Sequence, residues 1–276
     1  MSRAPFGLTG KRAVVTGASQ GIGQAAAIAL ARYGANVAGL YRPDAGEAEE
    51  AEARRTIAAI EELGREVILR RGDAGDPASH DDLARMTVEA WGGIDIWVNN
   101  AARLLVKPFL EMTGDDWHGL MGPNFNGYYY GCRAAARQMA AQGGGRIVNV
   151  TSVAHIQPIA SLSAYCAAKG GVKALTTVLA VELAPLGIAV NAVAPGATDT
   201  PLNATAYTPE VRRNYENRIP LGRIASAEEI AGAIVFLACD AARYVTGHEL
   251  VVDGGIILDG TVGHARTAID GGSTML

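Results

Sequence analysis

The sequence predicts a doubly wound α/β fold, in which about seven parallel strands form one sheet with helices on both faces. Two observations support this prediction. Short β-branched runs alternate with helical segments along the chain, and the runs are continuously apolar, as in strands buried on both faces. Right-handed crossovers then place helices on both sides of the sheet. With 276 residues, 49% of them hydrophobic, the chain can bury such a core as a single domain over 1–276.

The predicted strands are spaced so that a helix fits between them. They cover 12–17, 35–41, 66–70, 94–100, 145–152, 188–196 and 248–255. Apolar residues at three- and four-residue spacing predict the helices, including a charged, solvent-facing one over 47–64. The region 197–225 lacks this rhythm and is rich in Thr, Pro, Asn and Arg, so we interpret it as a substrate lid within the domain. We interpret 259–276 as a C-terminal extension.

Composition and charge limit the classes of partner. The net charge of −4 and the scattered basic residues favour no nucleic acid. Cys132, Cys166 and Cys239 have no metal-binding spacing, and three cysteines fit a reducing compartment, so we expect no metal and a cytoplasmic location. The longest apolar runs fall far short of the about 20 residues that cross a bilayer, so we expect no membrane.

A glycine-rich turn follows the first predicted strand and leads into a helix. In TGASQGIGQAAAIAL, Gly17, Gly21 and Gly23 have the spacing G-x-x-x-G-x-G. Glycines at these positions let the backbone approach a pyrophosphate, and the helix N-terminus offers free N–H groups. A tight structural turn is the alternative. Asp73 and Asn100 follow later strands and would face the same crevice, although both also favour simple turns.

Tyr165 and Lys169 are four residues apart in AYCAAKGG and therefore share one face of a predicted helix. A free tyrosine has a pKa near 10, and lowering it to near 7 requires about 4 kcal/mol of preferential phenolate stabilisation. An ammonium group and a cationic nicotinamide together can supply it. The pair therefore indicates a general acid/base at neutral pH.

Taken in order, these motifs resemble the classical short-chain dehydrogenase/reductase family, and in appearance its aldose (glucose/rhamnose-type) dehydrogenases most. The resemblance rests on TGASQGIG, NNAA, YCAAK and NAVAPG, with Asn124 and Ser152, over about residues 8–258. It implies a Rossmann-type fold and a homotetramer packed through the helix at 163–185. It also implies hydride transfer between NAD(P) and a secondary alcohol, lactol or carbonyl, possible substrates being a sugar or polyol. A generic carbonyl or 3-oxoacyl reductase and a non-catalytic NAD(P)-sensing protein are the alternatives.

The resemblance also implies roles for individual residues. Tyr165 would exchange a proton with the substrate oxygen, and Lys169 would hold the cofactor ribose and lower the pKa of Tyr165. Ser152 would hydrogen-bond the substrate oxygen, with helix capping as its alternative. Asn124 would hold a water that links Lys169 to solvent. His155, if not satisfied locally, would line the substrate pocket with Ser152 and Tyr165. The implied cofactor-binding residues are Gly17, Ser19, Gln20, Gly21, Ile22, Gly23, Tyr41, Arg42, Asp73, Ala74, Asn100, Ala101, Tyr165, Lys169, Pro195, Gly196, Thr198 and Thr200.

Two positions depart from the pattern of the family. Ala102 stands where glycine is usual, which a negative φ would tolerate. Pro123 precedes Asn124 inside an expected helix and removes a backbone hydrogen bond there. We expect the chain to accommodate Pro123 through a local distortion of that helix.

The end of the second predicted strand, GLYRPD, bears on the choice between NAD and NADP. A carboxylate there accepts a hydrogen bond from the 2′-hydroxyl of NAD, whereas an arginine pairs with the 2′-phosphate of NADP. The acidic position of the family falls on Tyr41, and Arg42 follows it. We therefore predict that NADP is favoured and that NAD is possible. Asp44 is near enough to compete for Arg42, and a solvated turn is the alternative role of Arg42.

Overall fold

Seven parallel strands form one sheet in the computed structural model, which describes residues 5–42, 44 and 46–258. The strands are β1 (Arg12–Thr16), β2 (Asn36–Tyr41), β3 (Val67–Arg71), β4 (Ile96–Asn99), β5 (Gly145–Val150), β6 (Ile188–Pro195) and β7 (Glu249–Val252). Their order is β3-β2-β1-β4-β5-β6-β7, and every neighbouring pair is parallel. The predicted fold class is confirmed, and each predicted run overlaps one strand. The predicted extension at 259–276 lies outside the described residues.

Eight α-helices accompany the sheet in the described part of the chain. They are α1 (Gly21–Arg32), α2 (Glu47–Glu62), α3 (Pro77–Trp91), α4 (Gly114–Met121), α5 (Gly127–Gln142), α6 (Ser163–Leu183), α7 (Pro209–Arg218) and α8 (Ala227–Ala238). One core cluster joins the sheet to α1 and α8, and a second joins its other face to α3, α5 and α6. Val15 belongs to the first cluster and Val14 to the second, because successive side chains of β1 point to opposite faces.

The order of the strands positions the site. Chain order reverses between β1 and β4, which are neighbours in the sheet. In open parallel sheets, ligands bind beyond the carboxyl ends of the strands at such a reversal. The glycine-rich turn lies there, between β1 and α1.

The region 197–225, predicted to be a lid, begins and ends at one point. Thr198 and Ala225 form an isolated parallel bridge, and between them lie a 3-10 turn, Pro201–Asn203, and α7. The loop is therefore closed at its base, directly after β6.

Among the described residues, no helix has the length and apolar character that crossing a membrane requires.

Candidate active site

Two cavities open along the carboxyl edge of the sheet, with volumes of about 520 Å³ and about 40 Å³. Most residues predicted for the cofactor and for catalysis line one of them. The larger cavity is lined in part by Ile22, Asn100, Ser152, Tyr165, Lys169, Pro195, Gly196, Thr198 and Thr200. The smaller is lined in part by Gly17, Tyr41, Arg42, Asp73, Ala74 and Ala101. The fold thus gathers residues from distant parts of the sequence at one edge.

The glycine-rich loop needs its glycines for backbone conformation and for close packing. Gly17 and Gly21 have φ of 70° and 57°, in the left-handed region. A Cβ on Gly23 would lie 2.0 Å from the backbone oxygen of Gly17. The residue before α1, Gln20, makes no side-chain cap, so no side chain at that position competes for the first N–H groups of the helix. A tight loop with an open helix terminus fits a pyrophosphate.

Asn100 and Asp73 fasten this edge through local hydrogen bonds. The Asn100 amide donates to the backbone oxygens of Thr16 at 3.0 Å and Gly17 at 3.3 Å. One carboxylate oxygen of Asp73 accepts from the backbone N–H of Gly75 at 2.8 Å. The turn chemistry that the sequence left open is therefore present at both residues, and both also line a cavity.

Arg42 is held by Glu49, which the sequence analysis did not single out. The guanidinium donates to one carboxylate oxygen of Glu49 from Nε at 2.8 Å and from Nη2 at 2.7 Å. The other oxygen of Glu49 accepts from the Ser19 hydroxyl at 2.8 Å. The expected competitor, Asp44, lies 3.9 Å from Arg103 instead. Glu49 prevails because it is buried beside the loop, whereas the Asp44 side chain is 64% exposed.

Three residues predicted for catalysis face the larger cavity together. Ser152 follows β5, and Tyr165 and Lys169 lie one turn apart near the start of α6. The Ser152 hydroxyl accepts from the backbone N–H of Ala154 at 3.1 Å, so it also caps a 3-10 turn. Burial raises the pKa of Tyr165 to about 12, while a hydrogen bond with Ser152 acts in the opposite direction. Burial lowers the pKa of Lys169 to about 7.

These pKa values differ from the expected lowering of the Tyr165 pKa towards 7. The Nζ atom of Lys169 lies 5.8 Å from the centre of the Tyr165 ring and is itself buried. Burial disfavours the charged form of both groups and is the main cause of both shifts.

Lys169 makes its hydrogen bonds elsewhere. Its Nζ donates to the hydroxyl of Tyr128 at 2.7 Å and to the backbone oxygen of Val150 at 2.8 Å. The Tyr128 hydroxyl in turn donates to Val150 at 2.8 Å. Tyr128 is 1% exposed. A closed triangle of hydrogen bonds under the cavity therefore fixes the end of the Lys169 side chain.

Asn124 lies in a π-helical turn, Gly122–Asn126, between α4 and α5. As expected, the helix is locally distorted at Pro123, which has no N–H to donate to the helical hydrogen bonds. The Asn124 side chain accepts from the backbone N–H of Arg103 and donates to its carbonyl, both at 2.8 Å. Its polar atoms thus fasten the chain after β4.

Ala102 stands where glycine is usual in the family, and a negative φ was the condition for tolerating it. Ser161 is the one non-glycine with positive φ in the described chain, so Ala102 meets that condition.

His155 does not line either cavity in the described chain, so the prediction that it contacts substrate is not supported. Its Nε2 lies 3.0 Å and 3.1 Å from the two carboxylate oxygens of Glu249 at the start of β7. The hydroxyl of Thr151 donates to the same carboxylate at 2.6 Å. The His155 ring is thus satisfied by a local contact with a buried carboxylate, which is the alternative role predicted for it.

Thr198 and Thr200 lie where the predicted lid leaves β6. The Thr198 hydroxyl donates to the backbone oxygen of Gly196 at 3.1 Å, and its carbonyl accepts from Asn203 at 3.0 Å. A Cβ on Gly21 would lie 3.3 Å from the Cβ of Thr200. Thr200 therefore covers the glycine-rich loop from the side of the larger cavity.

Two residues with central positions, Tyr128 and Glu49, were not predicted from the sequence. Tyr128 follows Asn124 by four residues, a spacing that suggests a shared helix face, but three consecutive tyrosines gave no reason to choose it. Glu49 belongs to an acidic helix start with Glu47 and Glu50, a pattern typical of a solvated face. Only the packing of α2 against the glycine-rich loop shows that Glu49 is buried.

A doubly wound parallel sheet with a glycine-rich loop at its switch point defines a dinucleotide-binding protein. Comparison with known proteins narrows the class. A family model described as "Enoyl-(Acyl carrier protein) reductase" matches residues 17–257. The chain is 40% identical over 257 residues to 3beta-hydroxysteroid dehydrogenase 1 of Eggerthella lenta, covering 91% of this chain and 95% of that protein.

Two further similarities agree. The chain is 41% identical over 254 residues to L-rhamnose 1-dehydrogenase (NAD(P)(+)) of Sphingomonas sp., covering 91% of this chain and 98% of that protein. The solved gluconate 5-dehydrogenase of Burkholderia cenocepacia, in complex with NADP and tartrate, superposes with a TM-score of 0.84 at 33% identity, covering 92% and 98% of the two chains. The chain belongs to the short-chain dehydrogenase/reductase family. It is an NAD(P)-dependent oxidoreductase that transfers a hydride between the nicotinamide and an alcohol or carbonyl.

Proposed function

We propose that Tyr165 is the acid/base of this oxidoreductase and that Ser152 and Lys169 assist it. The observation that carries the proposal is their convergence on the larger cavity, next to the glycine-rich loop. When bound, the nicotinamide supplies the carbon that accepts or releases the hydride. Tyr165 then takes the proton of the substrate hydroxyl, or returns it in the reverse direction, while the Ser152 hydroxyl hydrogen-bonds the substrate oxygen.

Lys169 has two tasks in this proposal. Its ammonium binds the cofactor ribose, and its charge lowers the pKa of Tyr165. Tyr128 and the carbonyl of Val150 accept from the same nitrogen, so they stabilise the charged form of Lys169 against burial. Asn124 supports the site by holding the chain at Arg103, and a water between it and Lys169 would connect the lysine to solvent.

The proposed substrate is a lactol or secondary alcohol on a sugar-sized ring. Polar side chains from the 197–225 lid, Asn203, Asn214 and Arg218, line the larger cavity and offer hydrogen bonds to ring hydroxyls. The similar L-rhamnose 1-dehydrogenase supports this class. A more apolar alicyclic alcohol is the second candidate, because Leu104, Val106 and other apolar side chains line most of the cavity and a similar protein is a 3beta-hydroxysteroid dehydrogenase.

The cofactor proposal is that NADP is favoured and NAD is also used. Arg42 is half exposed at the end of β2 and lines the smaller cavity with Gly17 and Ala74, where it can meet a 2′-phosphate. The complex of the similar gluconate 5-dehydrogenase with NADP supports this choice.

We also propose a cytoplasmic homotetramer in which α6 packs against its counterpart. Val178 and Val181 on α6 are 48% and 75% exposed, which leaves apolar surface for a partner. Three free thiols, at Cys132, Cys166 and Cys239, fit a reducing compartment.

Turnover with a substrate panel tests the proposed function. Oxidised NADP and NAD are offered with L-rhamnose, gluconate or a 3β-hydroxysteroid, reduced NADPH and NADH are offered with an acetoacetyl thioester, and the absorbance of the reduced cofactor is followed. We expect turnover of an aldose, and a loss of about 10²-fold or more in Tyr165→Phe with cofactor binding retained. Turnover of the thioester alone would favour a 3-oxoacyl reductase. Cofactor binding without any turnover would favour a sensing protein, and a Tyr165→Phe variant within tenfold of wild type would refute the role of Tyr165.

A further inference from the structure

Glu49 contacts Arg42, the residue proposed to meet the 2′-phosphate, although it lies outside the strand end and the glycine motif. It is in the first turn of α2, where a negative charge is favourable at a helix N-terminus. Its neighbours Glu47 and Glu50 reach solvent or Arg71, whereas Glu49 is 7% exposed. The fold therefore buries one carboxylate between the glycine-rich loop and Arg42.

The contacts of Glu49 weaken Arg42 as a partner for phosphate. Two N–H groups of Arg42 already point at one oxygen of Glu49. A 2′-phosphate at Arg42 would have to share these donors with the carboxylate and would meet its negative charge at short range. Ser19 is 1% exposed, and its hydroxyl donates to the other oxygen of Glu49.

A 2′-hydroxyl is not repelled by the Glu49 carboxylate and does not compete for the Arg42 donors. It is neutral, and it can donate to a carboxylate. A carboxylate offers about four acceptor positions. The contacts from Ser19 and Arg42 use three of those positions. Glu49 thus combines the two properties by which an acidic residue favours NAD, while Arg42 beside it retains the charge that attracts NADP.

We propose that Glu49 is a specificity-determining residue that holds Arg42 back from the 2′-phosphate and so keeps NAD in use. The proposal rests on the proposed function, namely that this edge of the sheet binds the adenosine end of NAD(P). It adds that the preference is set by the Glu49–Arg42 pair as a unit, and not by Arg42 alone.

The test compares kcat/KM and Kd for NADP and NAD in Glu49→Gln, Arg42→Ala and the double variant. Gln retains the shape of Glu49 and an oxygen that accepts from Ser19, but not the charge. Glu52→Gln is the matched control, because Glu52 lies on the same helix in an ion pair with Arg55. Thermal unfolding of each variant confirms that it is folded.

We expect Glu49→Gln to raise the ratio of NADP to NAD efficiency about tenfold or more, and Glu52→Gln to change it less than about twofold. Arg42→Ala should lower the ratio, and Glu49→Gln should then raise it much less in the Arg42→Ala background than in wild type. Equal changes with both cofactors in Glu49→Gln, or the same increase without Arg42, would overturn the proposal while leaving the proposed function intact. If Glu49→Gln does not fold, an unchanged ratio in Arg42→Ala overturns the proposal alone. A wild-type protein that binds neither cofactor would overturn both.

Discussion

Replacing Tyr128 by phenylalanine removes one hydroxyl beneath Lys169 and leaves the aromatic ring in place. That hydroxyl accepts from the Lys169 ammonium at 2.7 Å and donates to the Val150 carbonyl at 2.8 Å. Lys169 keeps Val150 as an acceptor, at 2.8 Å, but loses its contact with Tyr128. The substitution therefore tests what one buried acceptor contributes to a buried ammonium.

The expected magnitude follows from the two lost contacts. A net hydrogen bond between neutral groups contributes about 0.5–1.5 kcal/mol, and one to a charged group about 1.5–3 kcal/mol. Loss of both should lower the free energy of unfolding by about 2–4 kcal/mol. The lost acceptor should also lower the pKa of Lys169 further and weaken its support of the Tyr165 phenolate. Since about 1.4 kcal/mol corresponds to one pKa unit, the acidic inflection of kcat/KM for alcohol oxidation should move to higher pH by about one unit.

Urea unfolding measures the first effect, and the pH dependence of kcat/KM the second. Tyr129→Phe is the matched control, because the neighbouring Tyr129 is 48% exposed. We expect the control to match the wild type in both measurements. A Tyr128→Phe variant that is less stable but has an unshifted pH profile would limit Tyr128 to a structural role. No change in either quantity would refute the importance of the hydrogen-bonded triangle.

Three further predictions concern pH, assembly and the lid. Burial lowers the pKa of Lys169 to about 7, so above that pH the unfolded chain binds more protons than the folded one. The free energy of unfolding should therefore rise between pH 7 and pH 9 by about 2 kcal/mol more in wild type than in Lys169→Met. The same pH dependence of urea unfolding in both proteins would contradict this. Val181→Glu on exposed α6 should dissociate the proposed tetramer in sedimentation at micromolar concentration, whereas an unchanged mass would exclude this helix from the interface. Arg218→Ala at the lid should raise KM for an aldose with little change in cofactor Kd, and an unchanged KM would remove Arg218 from substrate binding.

The sequence predicted the sheet well because its signal is local and repeated. Seven apolar runs, each followed by a helical pattern, leave few topologies for a parallel sheet, and the structure has seven strands where these runs occur. The same holds for Tyr165 and Lys169, since four residues along a helix fix their relative position whatever surrounds them. The helix predicted at 163–185 is observed as Ser163–Leu183.

Contacts between separate elements of the fold could not be predicted from the sequence. The prediction that Asp44 competes for Arg42 used closeness along the chain, whereas Glu49 reaches Arg42 because α2 folds back on the glycine-rich loop. His155 was assigned to the cavity by its nearness to Ser152, but Glu249 from the last strand determines its orientation. In both cases a buried carboxylate from a separate element decides the outcome, and no local pattern shows that it is buried.

The placement of α6 on the sheet depends on polar contacts as much as on apolar packing. The buried face of the helix carries small residues, such as Ala164 and Ala168, which by themselves define the position of the helix weakly. Two turns beyond Lys169, the hydroxyl of Thr176 accepts from the Asn149 amide at 2.9 Å.

Asn149 belongs to a chain of hydrogen bonds that runs from β4 through β5 to α6. Its side-chain oxygen accepts from Asn99 at 2.8 Å, and the oxygen of Asn99 accepts from the indole of Trp97 at 2.8 Å. Each of these groups is buried and has a partner, so a shift of α6 along β5 would leave several polar atoms unsatisfied. Such a loss costs about 1–3 kcal/mol for each group. The network therefore fixes the position of α6 along β5. It thereby also positions Lys169 for its hydrogen bond to Val150 at the end of β5.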